Sequence, residues 1–265
     1  MQIITLTTDF GDIDPYVGIM KGVILNIYPY AKIVDITHTI PPQDIWQANW
    51  TIQNSYNYFP HKTIHLCIVD PGVGSKRKAI LIETKNYFFI GPDNGLFTNV
   101  PEKEEVINII ELSEKKYWLP NLKGEIDPAP TFHGRDIFSP VAAHLAKGVA
   151  AKEFGTQLEK ETLVKLSLNS FTKTQKGIAG IVKYIDHFGN IITNIPKSDI
   201  PTKIHGRIKN VDFKGLAQSY SEGELNKLIA INGSTGYLEL SINSGNAAKI
   251  TKAQVGDKVE ITFLL

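Results

Sequence analysis

The apolar pattern of this 265-residue chain changes character once, and that change constrains the fold more than any other feature. Up to about residue 150, short continuous apolar runs alternate with longer segments whose apolar residues recur at helical spacing. Continuous apolar runs are typical of strands covered on both faces, and their alternation with helices predicts a mainly parallel sheet. We therefore expect an α/β domain here. The predicted strands are 3–10, 32–37, 63–70, 78–84 and 87–92, and the predicted helices are 15–29, 43–59 and 135–148.

A polar stretch around residues 155–176 reads as a connector, and beyond it the pattern consists of short strands separated by turn residues. No helix of convincing length interrupts these strands. Regularly spaced short strands predict a small antiparallel barrel or sandwich. We therefore predict an α/β domain over residues 1–165 and an all-β barrel domain over residues 175–265.

Composition excludes several classes of function. Basic and acidic residues number 28 and 27 and are scattered, so no concentrated basic surface for nucleic acid is expected. No apolar run approaches the roughly 20 residues that span a bilayer, and the first residues lack the basic region of a signal peptide. The one cysteine, Cys67, lies inside an apolar run and fits a reducing cytoplasm. These features predict a cytoplasmic protein that binds neither nucleic acid nor membrane.

Acidic residues recur where the predicted strands of the first domain end. Asp9, Asp35, Asp70 and Asp93 all occupy such positions. In open α/β sheets, ligands bind beyond the carboxyl ends of the strands, although a single aspartate there can equally be a cap or turn residue. We interpret Asp9 and Asp70 as functional and Asp35 and Asp93 as structural.

The glycine-rich segment at 69–80, VDPGVGSKRKAI, does not have the form of a phosphate-binding loop. It lacks the Lys-Ser/Thr ending, and an apolar strand follows it instead of a helix. It does place Asp70 at the end of one strand and Arg77 near the start of the next, so the two side chains can meet. Arg77 would then supply a fixed positive charge, unless the pair is only a loop salt bridge.

A second candidate site is His133, in a loop framed by proline and glycine directly before a helix. Such loops hold polar groups against ligands, although an exposed loop histidine is the simpler alternative. His61 and His65 are four residues apart at the start of a strand, where that spacing separates side chains by about 13 Å. Together with a single cysteine, this predicts that the protein has no metal site.

The β domain contains two candidate ligand loops. In the first, Asp186, Phe188 and Asn190 surround a glycine, and an amide beside an aromatic ring suits the edge and face of a purine. The second is a small-residue turn that contains Asn246 and Ala247. Either loop alone can also be an ordinary β-turn.

Six motifs connect these candidates, and they occur in a fixed order along the chain. Together they resemble the S-adenosylmethionine (SAM) hydroxide adenosyltransferases, a family related to the fluorinase and chlorinase enzymes. The resemblance implies a homotrimer, with substrate held between the N-terminal domain of one subunit and the C-terminal domain of its neighbour. The motifs are TTDFG at 7–11, VDPGVGS at 69–75, GPDNG at 91–95, FHGRD at 132–136, DHFGN at 186–190 and GNAA at 245–248.

The resemblance also implies the activity and its residues. Water would split SAM into adenosine and methionine without a metal or other cofactor, and Asp70, Arg77 and His133 match the set that activates the water. Either Asp70 or His133 could be the general base. The implied substrate contacts are Asp9 on the ribose diol, Phe132 lining the pocket, Phe188 and Asn190 on adenine, Asn246 and the backbone of Ala247 at the base, Asp186 on the methionine amino group and Ser234 on its carboxylate.

Some positions depart from the halogenating relatives. Thr235 stands where they carry an arginine, and Gln43 where they carry a tryptophan. They also carry a long insertion before the GPDNG-like strand, lack the Asp-Arg-His set, and have a small hydroxyl residue in place of Gly134. The short turn, the Asp-Arg-His set and Gly134 favour hydrolysis, whereas Thr235 and Gln43 alter the predicted contacts of the methionine part. The alternatives are a halide adenosyltransferase and a non-catalytic sensor of SAM or adenosine.

Overall fold

The computed structural model describes residues 2–120, 124, 126–167 and 171–264. The chain divides into two compact units, Met1–Leu166 and Ser167–Leu265. The first unit contains a seven-stranded sheet of order β2-β1-β3-β5-β4-β6-β7. Its strands are β1 Ile3–Thr8, β2 Lys32–Thr37, β3 Ile64–Ile68, β4 Ala79–Thr84, β5 Phe88–Pro92, β6 Val106–Leu112 and β7 Gly155–Gln157.

The sheet is mixed. Strands β2, β1, β3 and β5 are parallel to one another, whereas β4 returns antiparallel between β5 and β6, and β7 is antiparallel to β6. The prediction of a mainly parallel sheet therefore describes the first four strands of this order. The short turn at 85–87 requires the reversal, because a parallel connection needs a crossover of a dozen or more residues. Residues 155–157, interpreted above as connector, form β7.

Helices cover both faces of this sheet. Helix α1, Tyr16–Ile27, begins after Pro15 and packs Met20 and Ile24 into a core on one face. Helix α2, Ile45–Gln53, packs against the other face and is shorter than predicted. The other α-helices among the described residues of this unit are α3, Val100–Lys103, and α4, Ser139–Ala146, which follows a π-helical turn at Gly134–Phe138.

The second unit is an eight-stranded antiparallel sheet of order β12-β11-β15-β9-β10-β14-β13, with β8 paired to β9. The end strands β12 and β13 lie beside each other, so the sheet nearly closes into a barrel. Its interior is filled by aliphatic side chains. The elements are β8 Thr172–Lys173, β9 Gly177–Ile185, β10 Ile191–Pro196, β11 Ile204–Ile208, β12 Val211–Lys214, β13 Leu228–Asn232, β14 Tyr237–Ile242, α5 Ala247–Thr251 and β15 Lys258–Phe263. None of the helices in the described residues combines the length and apolarity needed to cross a membrane.

The core of the first unit contains a buried histidine, and its burial predicts that the protein loses stability in acid. His65 is 0 % exposed, its Nδ1 lies 2.8 Å from Thr5 Oγ1, and its ring stacks on Phe89. Burial lowers the pKa of His65 from 6.5 to about 3. The unfolded chain therefore takes up a proton below pH 6.5 that the folded chain does not. We expect this residue to remove up to about 1.4 kcal/mol of unfolding free energy for each pH unit below that value.

Urea unfolding of the wild type and of His65→Leu between pH 7 and pH 4 measures this effect. The variant loses packing and is less stable at neutral pH. Its unfolding free energy is expected to depend less steeply on pH than that of the wild type, because its unfolded state has one fewer group to protonate. Equal slopes for the two proteins would contradict the assignment.

Candidate active site

Four aspartates lie at one edge of the sheet in the first unit. Asp9, Asp70 and Asp93 follow β1, β3 and β5, and Asp35 lies near the end of β2. Because these strands are parallel, their carboxyl ends meet at the same edge, which we call the carboxyl edge. Strand β4 is antiparallel to β5, so its first residues also lie there. The segment at 69–78 therefore crosses the carboxyl end of β5 to join β3 to β4.

Asp70 and Arg77 form an ion pair across this crossing segment. Arg77 Nε donates to both carboxylate oxygens of Asp70 at 2.9 Å, and its Nη2 lies 2.5 Å from Oδ2. The side chain of Arg77 is 9 % exposed and that of Asp70 is 5 % exposed. A Cβ on Gly74, whose φ is +76°, would lie 2.4 Å from the carbonyl oxygen of Pro130. The crossing segment therefore approaches the chain that leads to His133.

His133 completes a three-residue set with this pair. Its Nδ1 lies 2.8 Å from Arg77 Nη2. The π-helical turn follows it directly, and the ring of Phe138 in that turn lies 5.2 Å from the Arg77 guanidinium carbon. Gly134 lets the turn approach closely, because a Cβ there would lie 3.2 Å from the Phe132 ring. The structure thus brings Asp70, Arg77 and His133 into contact.

The contact with Arg77 fixes the proton on the His133 ring. A guanidinium has donors and no acceptor, so Nδ1 of His133 accepts the hydrogen bond and the neutral ring carries its proton on Nε2. Burial lowers the pKa of His133, and the positive charge of Arg77 lowers it further, while Asp70 and Asp136 oppose the shift. The imidazole is therefore held neutral, with Nε2–H as a donor.

Asp9 lies near this set, partly buried after β1. Its Oδ2 accepts a hydrogen bond of 2.7 Å from the backbone amide of Gln43. Burial raises the pKa of Asp9, and the charge of Asp70 adds to the shift while hydrogen bonds oppose it. Gln43 has a φ of +67°, in the left-handed region that residues other than glycine seldom adopt. The backbone of Gln43, which the sequence did not identify as a contact, orients the carboxylate.

Three aromatic rings pack against one another next to the site residues. Phe10 directly follows Asp9 in the sequence, and Phe132 directly precedes His133. Phe10 and Phe132 have ring centroids 6.0 Å apart, Tyr16 and Phe132 5.3 Å, and Phe10 and Tyr16 5.9 Å, all edge to face. The sequence identified Phe132 and missed the other two. Phe10 belongs to the TTDFG motif, and Tyr16 begins α1 shortly after it. This closeness to the motif is the sequence signal that could have identified both rings.

Asp35 and Asp93 make contacts typical of structural residues. Asp35 accepts from Lys21 Nζ at 2.6 Å and lies 3.1 Å from His38 Nε2. Burial alone would raise the pKa of Asp35, but hydrogen bonds from those two residues lower it. Asp93 accepts from the backbone amide of Val164 at 3.0 Å.

In the second unit, the two candidate loops are in contact. Asp186 accepts from the backbone amide of Asn190 at 2.8 Å and from its side-chain amide at 2.9 Å. Gly189 has a φ of +85°, and a Cβ there would lie 2.1 Å from Asn246 Cγ. Asn246 in turn caps α5, which begins with the buried Ala247. Phe188 is 73 % exposed at the same loop.

Ser234 lies apart from these loops. It is exposed in the turn between β13 and β14, whereas Asn246 follows the other end of β14. A six-residue strand separates the two by about 20 Å. The neighbouring Thr235 has a buried Oγ1. The structure therefore gathers the adenine-loop candidates and leaves Ser234 at the opposite end of the strand.

No group of three or more His, Cys, Asp and Glu side chains in the described part of the chain could hold a metal ion. The residues at the carboxyl edge instead combine carboxylates, one guanidinium and a neutral imidazole. Such a set can orient a water molecule and remove its proton.

Comparison with known proteins identifies a matching protein family, similar proteins and a similar solved structure. Residues 4–155 match the SAM hydroxide adenosyltransferase N-terminal domain, and residues 180–260 match the C-terminal domain. An (R)-S-adenosyl-L-methionine hydrolase of Methanocaldococcus jannaschii is 39 % identical over 278 residues, covering 99 % of this chain and 97 % of the relative. A fluorinase of Actinoplanes sp. is 26 % identical, covering 98 % and 97 %. The crystal structure of an uncharacterized conserved protein from Thermotoga maritima has a TM-score of 0.89 at 34 % identity, covering 97 % and 99 %.

Proposed function

Because the chain belongs to the SAM hydroxide adenosyltransferase family, we propose that it hydrolyses (R)-S-adenosyl-L-methionine to adenosine and L-methionine. A water oxygen forms a bond to ribose C5′, the C5′–S bond breaks, and the water loses one proton. The observation that carries this function is the contact of Arg77 with both Asp70 and His133, close to Asp9.

The leaving group determines what the protein must supply. Sulfur departs from a sulfonium as a neutral thioether, so no general acid is required. Water is the weak partner, and it must approach C5′ in line with the C5′–S bond. Holding it about 3 Å from the carbon in that line supplies the proximity effect.

We assign the proton transfer to Asp70. The Arg77 contact occupies Nδ1 of His133 and leaves a proton on Nε2, so His133 donates a hydrogen bond to the water oxygen. Oδ2 of Asp70 accepts from both Nε and Nη2 of Arg77, whereas Oδ1 accepts from Nε alone and retains a further lone pair. Asp70 is therefore the group that takes the proton, a role worth about 10²–10⁴-fold in rate. The proposed reaction uses no metal or other cofactor.

The remaining site residues have proposed roles in binding. Asp9 binds the ribose diol, and the aromatic cluster around Phe132 gives the sulfonium a dry surface. In the second unit, adenine lies at the loops that contact each other through Gly189, and the methionine part extends towards Ser234. We further propose a homotrimer in which neighbouring subunits complete each site. The contacts of the second unit are Asp186, Phe188, Asn190, Ser234, Asn246 and Ala247.

Product analysis tests the proposed function. Purified protein is incubated with each sulfonium epimer separately, in EDTA, with and without chloride, and the products are separated by chromatography. We expect adenosine and methionine in equal amounts from the R epimer. Formation of 5′-chloro-5′-deoxyadenosine would favour the halide transferase, and calorimetric binding without turnover would favour a sensor.

The neutral state of His133 predicts the acid limb of the pH profile. Protonation of Nδ1 breaks the contact with Arg77, and the pKa of His133 is lowered from 6.5. We therefore expect kcat/KM to stay constant down to that pH and to decline only below it. The measurement is a pH series with activity rechecked at neutral pH to exclude unfolding. A decline with its midpoint at or above pH 6.5 would contradict the assigned state.

A further inference from the structure

The GPDNG motif at 91–95 contributes no catalytic or binding residue to the proposed function, although it lies at the carboxyl edge. It covers the last two residues of β5 and the start of the turn at 93–96, which we call the GPDNG turn. Strand β5 lies between β3 and β4 in the sheet. Asp70 follows β3 and Arg77 precedes β4, so the GPDNG turn lies between the two ends of the segment that carries the ion pair.

The side chain of Asn94 holds the carboxyl end of β3. Its Nδ2 donates to the carbonyl oxygen of Val69 at 2.9 Å, and Val69 directly precedes Asp70. Its Oδ1 accepts from the backbone amide of Leu96 at 3.2 Å, so the hydrogen bonds assign which end of the side-chain amide faces Val69. One side chain therefore ties the residue before Asp70 to the GPDNG turn.

The backbone of the same turn holds the start of β4. The amide of Asp93 donates to the carbonyl oxygen of Lys78 at 2.9 Å, and Lys78 directly follows Arg77. The GPDNG turn is thus bonded one residue outside each partner of the ion pair. The separation of these two ends decides whether Nε and Nη2 of Arg77 can both reach Asp70. The turn therefore sets the geometry of the pair.

The GPDNG turn is itself anchored in the core. Asn49 of α2 is 3 % exposed, and its Nδ2 donates to the carbonyl oxygen of Leu96 at 2.9 Å. Just before the turn, a Cβ on Gly91 would lie 2.3 Å from the carbonyl oxygen of Cys67, so β5 approaches β3 closely through a glycine. Because the turn is fixed on both sides, it can hold Asp70 in one position.

We infer that Asn94 is a positioning residue for the hydrolysis: through the Val69 carbonyl, it holds the Asp70 carboxylate where that group takes the proton of the attacking water. The inference rests on the proposed function and adds to it a residue that acts through the backbone. Asp70 accepts the proton only as the bond from water to C5′ forms, whereas the proposed substrate contacts lie elsewhere. Loss of Asn94 is therefore expected to lower kcat and to leave KM nearly unchanged.

The test compares Asn94→Ala with the wild type. We expect kcat for SAM to fall about 10- to 100-fold, as when a reacting group is misplaced by up to about 1 Å, with KM changed by less than about 3-fold. The matched control is Asn86→Ala, in the turn at the other end of β5, where the side chain donates to Glu104 at 3.3 Å. Its kcat is expected to be that of the wild type. If kcat of Asn94→Ala stays within about 3-fold of the wild type, the inference is wrong.

A double-mutant cycle separates positioning from general support of the fold. Asn94→Ala is introduced into Asp70→Asn, which lacks the base. If Asn94 acts through Asp70, the double variant has the same kcat as Asp70→Asn alone. A second fall, as large as the one in the wild-type background, would show that Asn94 acts by another route and would overturn the inference.

Asn94→Asp provides a second variant should the alanine variant fail to fold. Aspartate has nearly the same size and keeps an acceptor for the amide of Leu96, but it cannot donate to Val69 when ionised. The same fall in kcat is expected. Wild-type kcat in this variant would count against the inference as it would in Asn94→Ala.

The inference and the proposed function fail in different ways. If the wild type forms adenosine and Asn94→Ala keeps its kcat, only the inference fails. If the wild type forms no adenosine, the proposed function fails, and an NMR titration of His133 then tests the positioning by itself. Burial lowers the pKa of His133 and the charge of Arg77 lowers it further, so a displaced Arg77 in Asn94→Ala is expected to return this pKa towards 6.5. Equal pKa values of His133 in the two proteins would overturn the inference.

Discussion

Replacing Asp70 by asparagine lowers kcat for SAM hydrolysis by about 10²–10⁴-fold, because the water loses the group that accepts its proton. The amide also leaves Arg77 buried without its anion, which reduces the unfolding free energy by about 3–5 kcal/mol. Product formation and urea unfolding, measured on the same preparation, check the two effects. The matched control is Asp35→Asn, near the end of β2 at the same edge of the sheet, where β1 separates it from β3; this variant is expected to retain most of the activity.

A double variant separates catalysis from folding. In Asp70→Asn combined with Arg77→Met, no unpaired charge remains, so much of the lost stability is expected to return. The activity is expected to stay low, because neither the base nor its guanidinium is present. Recovery of activity together with stability would show that Asp70 acts only as a structural partner, and the mechanism would then be wrong.

The second large effect is expected for Gly189→Ala in the adenine loop. The left-handed φ of +85° disfavours any Cβ, and this Cβ would also lie 2.1 Å from Asn246 Cγ. Since Asn246 caps α5, the collision displaces one adenine loop from the other. We expect the Kd for adenosine to rise at least about 10-fold, as when several hydrogen bonds lose their geometry together.

Gly256→Ala provides the control for this variant. Gly256 has a φ of +91°, and a Cβ there would meet no atom within 4 Å. Both variants bear the cost of a left-handed alanine, about 1–2 kcal/mol, but only Gly189→Ala adds the collision. The Tm of thermal unfolding is expected to fall in both variants, whereas the affinity for adenosine is expected to fall in Gly189→Ala alone. Equal binding losses would mean that contact between the loops is unimportant for the ligand.

The sequence predicts those parts of the fold and site that depend on local pattern. Apolar runs identified β1 to β5, and strand ends identified Asp9 and Asp70 at one edge. The strand β6 was missed because Asn108 interrupts its apolar run and charged residues flank it. The short turn at 85–87 indicates that β4 and β5 are antiparallel, because parallel strands need a longer connection. The alternation of strands and helices in the rest of the domain instead favours parallel strands.

The residues that sequence reasoning missed make contacts over long separations. The Gln43 amide reaches Asp9 through a left-handed backbone, which its side-chain identity does not indicate. Glu239 occupies a polar position of an alternating strand, a pattern that indicates solvent, and only the covering chain at Tyr220 makes it buried. Such covering depends on the path of distant segments, so no local pattern encodes it.

The turn between β4 and β5 lies at the edge of the sheet opposite the Asp70–Arg77 pair, because β4 runs away from the carboxyl edge. This turn is where the halogenating relatives are expected to carry their long insertion. Lengthening it moves neither end of the segment that crosses β5. We therefore expect a grafted insertion to leave water as the nucleophile. The length of this turn and the choice of nucleophile can then change independently during evolution. A gain of halide chemistry requires substitutions around the guanidinium of Arg77.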